Sequence, residues 1–211
     1  MQSLSEIIAR TVNSLQWELY HEFVEGATTC RITSDPLNRR HIIHLPQVQD
    51  NITAMDYLHE LAHAVLGEQH HLLATAYFKR DTSIAYCDLM VDPVLVATDW
   101  LADYLLYIWA PDGLKSEIIA LTNMIVDVQD YQKQSLFFGG LMHAEAVYYL
   151  RWKRHRVPRR YRSVTDILLA HDPVNPSVHK LCNLINDLAG LVCDKRLTLV
   201  NDDGLEVWEI I

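Results

Sequence analysis

The chain is poor in the residues that mark stapled, fibrous or low-complexity proteins: its 211 residues include only four cysteines, seven glycines and seven prolines. Cys30, Cys87, Cys182 and Cys193 stand far apart with no C-x-x-C pair. That pattern excludes a disulfide framework or a cysteine zinc knuckle and fits reduced thiols filling a core. With half the residues hydrophobic and 21% charged, collagenous and disordered classes are excluded as well. No charge-free apolar run is long enough to span a bilayer, because the most hydrophobic stretch, 84 to 109, carries Asp88, Asp92, Asp99 and Asp103. The first ten residues have no basic start followed by an apolar core, so a cytoplasmic protein with no membrane contact is expected. Positive charge is also short, 18 Lys and Arg against 27 Asp and Glu, which argues against attraction of the whole surface to phosphate.

What is present reads as one α+β domain over 1–211, predominantly helical with a small antiparallel sheet. Ser3 and Glu6 have capping-box spacing, and Ile7, Ile8, Val12, Leu15 and Leu19 keep a helical period to about Phe23. β-branched segments flanking Ser34-Asp35-Pro36-Leu37-Asn38 predict a hairpin over 28–45. Thr53 and Asp56 open a second helix whose apolar stripe, Leu58, Leu61, Ala62 and Val65, stops near Gly67. Asp92-Pro93 reads as the cap and first turn of a third helix, 93–109. Further helices are expected at 114–130, 141–155, 164–171 and 176–190, making 114–190 a helical second half. A closing hairpin, 195–211, turns at Asn201-Asp202-Asp203-Gly204.

His59-Glu60-Leu61-Ala62-His63 is an H-E-x-x-H pattern inside the second helix. Residues four apart share a helix face, so both imidazoles can take two corners of a tetrahedral zinc site. Glu60, one step round, is placed to accept a proton from water as general base. A third ligand is needed, and three positions compete. His70 lies too far along the helix axis if that helix continues. Asp99 and Asp103 share one face of an otherwise apolar helix, where a zinc would compensate their burial. Asp99 is the favoured ligand, with Asp103 as its alternative or as acceptor for the far nitrogen of a ligating histidine. His143 is the candidate donor to a developing oxyanion. Arg151, Lys153, Arg154, Arg156, Arg159, Arg160 and Arg162 form a basic segment, 151–162, suited to an anionic partner, with Trp152 and Tyr161 available for stacking.

Ile42-Ile43-His44-Leu45-Pro46, the H-E-x-x-H helix and the later acidic helix resemble the zincin metallopeptidases of the gluzincin type, nearest to the ImmA/IrrE group. The resemblance covers about residues 28–110. It implies an intracellular zinc peptidase that cleaves a protein or peptide substrate, such as a repressor or regulator. The family carries a glutamate ligand on the downstream helix, whereas Ala97-Thr98-Asp99-Trp100-Leu101-Ala102 has aspartate there. The competing expectation is a regulatory or nucleic-acid-associated binding protein in which zinc only staples helices.

Overall fold

A computed structural model of the chain describes residues 2–48, 52–127 and 134–211. The fold is α+β. Helix α1, Leu4–Ser14, starts at the expected capping box, with Ser3 Oγ accepting the Glu6 amide and the Glu6 carboxylate accepting the Ser3 amide. It stops nine residues before Phe23. The Glu68 carboxylate, distant in sequence, accepts the amides of Gln16 and Trp17, both at 2.6 Å, and the chain continues as strand β1, Glu18–Val24. The helical period through Leu19 was therefore overridden by pairing, since β1 runs parallel to β3 from Glu18 opposite Arg40 to Val24 opposite Pro46.

Strands β2, Arg31–Asp35, and β3, Arg40–Pro46, form the expected hairpin, turned by the Asp35 carboxylate accepting from the amide and side chain of Asn38 and from Arg40. The sheet order β1-β3-β2 makes it mixed rather than purely antiparallel and leaves β2 at an edge. Helix α2, Ala54–Gln69, begins at the Thr53–Asp56 capping box and packs against β2. The approach is close: a Cβ on Gly67 would sit 2.9 Å from Ser34 Oγ.

Helix α3, Ile84–Trp109, is longer than expected because Ser83, not Asp92, caps it, with Ser83 Oγ accepting from the Tyr86 amide. Pro93 lies inside the helix, where it leaves one carbonyl of the preceding turn without its donor. Asp92 is thus a helical residue and no cap. Helix α4 spans Pro111–Asp127 and α5 spans Gln134–Tyr149; residues 128–130 of the helix expected over 114–130 lie outside the described residues. After α5 the chain leaves the helical path at Arg151, φ 59°, and passes through two short 3-10 turns into α6, Arg162–Ala170. Helix α7, Val178–Ala189, follows, and strands β4, Leu197–Asp202, and β5, Leu205–Ile210, close the chain as the expected hairpin. One hydrophobic core, with Trp100 and Trp208 fully buried, joins residues from Ile7 to Trp208. Among the described residues no helix is long and apolar enough to cross a membrane.

Candidate metal centre

The apolar stripe of α2 fixes how its histidines point. Leu58, Leu61, Ala62 and Leu66 are fully buried, which turns His59 and His63 toward the middle of α3. There Asp99 Oδ1 lies 3.3 Å from His63 Nε2 and 3.7 Å from His59 Nε2, and the two ring nitrogens are 3.0 Å apart. Donors bonded tetrahedrally to zinc at about 2.0–2.2 Å stand about 3.3–3.5 Å from one another. The three observed separations bracket that value. The chemistry of the set, two imidazole nitrogens and one carboxylate oxygen, also suits zinc, so these residues fit the ion. Among the described residues, this is the group of three metal-ligating side chains gathered closely enough to hold one.

Behind His59, the Asp103 carboxylate accepts the Nδ1–H at 3.1 Å. That bond leaves Nε2 with its lone pair facing the cluster. In the metal-free chain, burial works to lower the His59 pKa, but hydrogen bonds and charges from Asp103 and Asp99 outweigh it and hold His59 well above the usual histidine value. Asp99 responds in the opposite sense. Its burial opposes ionisation, yet the bonds from His59 and His63 keep it below the usual carboxylate range.

Glu60 is buried on the adjoining wall of a cavity of about 510 Å³. Burial raises its pKa above the ordinary glutamate value, against the pull of His63 and His59. Cys30 shares this wall. Burial and the charge of Glu60 push its thiol up to about 12, so it stays protonated and is no nucleophile.

Three expected participants, His143, Tyr161 and Trp152, are elsewhere. His143, on α5, does not line the cavity, whereas its neighbours Met142 and Glu145 do. It is buried instead between helices: Nδ1–H donates to the Gly139 carbonyl at 2.6 Å and the ring stacks on Tyr161 at 5.1 Å. This stack exists because α5 meets the chain around 161–164 at glycine contact, where a Cβ on Gly139 would fall 2.2 Å from Tyr161. His143 as oxyanion donor is therefore replaced by His143 as a core residue. Tyr161, buried in the same stack, is likewise not a surface platform for nucleic acid, and Trp152 packs against the core. His70 hydrogen-bonds Glu206 at 2.7 Å and His71 donates to the Glu206 carbonyl, so both tie α2 to the terminal hairpin and neither reaches the metal centre.

One residue escaped the sequence reading. Glu145 on α5 is 1% exposed and its carboxyl lies against Asp103; burial, then the Asp103 charge, raise its pKa well above the usual glutamate value. A glutamate among the apolar residues of a buried helix was the available signal, the same one that singled out Asp99. No family model, curated protein or solved structure matches this chain, so the assignment rests on the geometry alone.

Proposed function

We propose that the protein is a zinc-dependent metallopeptidase. The observation that carries this reading is the convergence of His59 Nε2, His63 Nε2 and Asp99 Oδ1 on one point beside Glu60, at the wall of an open cavity. A purely structural zinc has four protein ligands and needs no neighbouring base, whereas three ligands and a carboxylate beside a cavity are the arrangement hydrolysis requires. Zinc bound here would supply Lewis acidity to water and to the scissile carbonyl. Glu60 orients the attacking water, takes its proton, and returns a proton to the departing amine. Asp103 holds His59 in the ligating tautomer, and Glu145 backs Asp103. The Thr28 and Thr29 hydroxyls on the cavity wall are available donors to the substrate. The edge strand β2 follows directly; its Ser34 amide and carbonyl are already bonded to Thr75 and Tyr77, so main-chain pairing with an extended peptide is confined to the strand's first residues. A protein substrate of the repressor or regulator kind, and a cytoplasmic location, belong to the same proposal.

The test is hydrolysis of an unbiased peptide library by zinc-loaded wild type and Glu60→Gln. Cleavage by the first and not the second supports the reading; equal cleavage, or none by either, sinks it.

A second reading is supported by the exposure of all seven cations of the basic segment, 151–162. In it the protein is a regulatory binding protein on an anionic partner, with zinc as a staple. Steeply salt-dependent nucleic-acid binding by a chain that hydrolyses nothing is its signature.

A further inference from the structure

We propose that the cavity beside the metal centre receives the cationic side chain of an arginine or lysine in the substrate. The inference rests on the peptidase reading and goes beyond it by naming the chemistry of the substrate. Among the described residues, six acidic side chains line the cavity and neither lysine nor arginine does. Four have work already: Asp99 in the metal cluster, Asp103 on His59, Glu60 as base, and Asp56 capping α2. Glu117 remains, and Glu145, which backs Asp103, keeps an Oε1 without a hydrogen-bond partner.

Glu117 is half-buried and, among the described residues, has no ion-pair partner. Burial, followed by the charges of Asp56 and Asp103, raises its pKa. Glu145 is 1% exposed, lines the cavity, and its Oε1 has no hydrogen-bond partner. Buried carboxyl oxygens without donors are costly, and a guanidinium brings five N–H donors with a positive charge.

The rest of the wall suits the stem of such a side chain. On α4, Leu114, Glu117, Ile118 and Leu121 follow at three- and four-residue spacing, so one helical stripe carries an acid in the middle of apolar surface. Phe138 and Leu141 of α5 face the same space. Methylenes on the apolar surface with the charge on Glu117 is the way long basic side chains are accommodated. A second divalent ion is the poorer occupant, because the carboxyls of Glu117 and Glu145 join no further group of three ligands among the described residues. An acidic side chain would meet uncompensated negative charge.

The experiment measures binding, so it does not depend on turnover. The zinc-loaded full chain in its Glu60→Gln form is titrated calorimetrically with acetyl-Gly-X-Gly-amide, where X is arginine, norleucine or glutamate. Arginine is expected to bind about tenfold tighter than norleucine, the lower end of what a charged hydrogen bond contributes, with glutamate weakest. Adding Glu117→Gln, near-isosteric and on a half-exposed position, should remove most of that preference, and raised salt should shrink it in the Glu117 form. Equal affinity for arginine and norleucine, no binding of any peptide, or a preference unchanged by Glu117→Gln would each overturn the proposal. Arginine-selective binding without library cleavage by wild type leaves the pocket and removes the peptidase, and cleavage indifferent to basic residues does the reverse.

Discussion

Asp103 Oδ1 sits 3.1 Å from His59 Nδ1, on the side of the ring opposite the cluster with His63 and Asp99. The two aspartates of α3, one turn apart, therefore divide their labour: Asp99 meets both ring nitrogens that face the ion site, while Asp103 orients one ring from behind. The predicted consequences are separable.

His59→Ala, His63→Ala and Asp99→Ala should each lose stoichiometric zinc, because each removes one of three donors. Asp103→Asn keeps all three and should weaken binding by about 10 to 100-fold, the usual loss when the hydrogen bond behind a ligating histidine is damaged. Competition against a chromophoric chelator reads both. A larger loss for Asp103→Asn than for Asp99→Ala would exchange their roles.

Glu60→Gln preserves volume and both histidines, so zinc content and unfolding temperature should hold while peptide hydrolysis falls by about 100-fold or more, the weight of a positioned base. Activity within a few-fold of wild type at equal zinc content would remove Glu60 from the mechanism.

The protonation of His59 predicts a pH dependence in the metal-free chain. Its folded pKa is raised above the unfolded value, so its pairing with Asp103 and Asp99 contributes stability that is complete below about pH 6.5 and lost as pH rises through the folded pKa. Zinc must displace that proton, so zinc affinity should keep rising with pH above 6.5. Asp103→Asn should flatten both trends. Urea unfolding of the zinc-free protein and zinc competition, each followed from pH 6 to 9 at constant ionic strength, supply the measurement.

His143 gives the opposite sign. Burial holds its pKa below the ordinary value, so the folded state favours the neutral ring and loses stability as pH falls below about 6.5. His143→Ala should cost about 2–4 kcal/mol through lost packing and the lost ring hydrogen bond to the Gly139 carbonyl, with zinc affinity unchanged. Altered zinc affinity, with stability intact, would return His143 to the site.

Gly139→Ala should destabilise by about 1–3 kcal/mol or more, since the added methyl meets the Tyr161 ring and the backbone must shift. Thermal unfolding checks it. Unchanged stability would mean that α5 and the Tyr161 segment separate at no cost.

The capping box and apolar stripe of α2 were legible because they are local, and with them the shared face of His59 and His63. Asp99 and Asp103 were legible for a related reason: charges inside an apolar helix must have a partner, and two histidines on one face were the available cations or ligands. Which aspartate faces which nitrogen was not contained in the spacing, because the relative rotation of α2 and α3 is set by packing around Leu58, Leu61, Ala97 and Trp100. Tertiary contacts also decided the strand at 18–24, where Glu68 ends α1 and β3 offers a parallel partner to residues whose own period was helical. They decided His143 and Glu145 too. Two residues apart on one helix, the histidine turns into the stack on Tyr161 and the glutamate into the cavity, and only the helices packed around α5 determine which face is which. Sequence determines the chemistry that must be satisfied along each element, since capping, periodicity and charge burial act within a few residues. The direction each face points is a property of the whole packed chain.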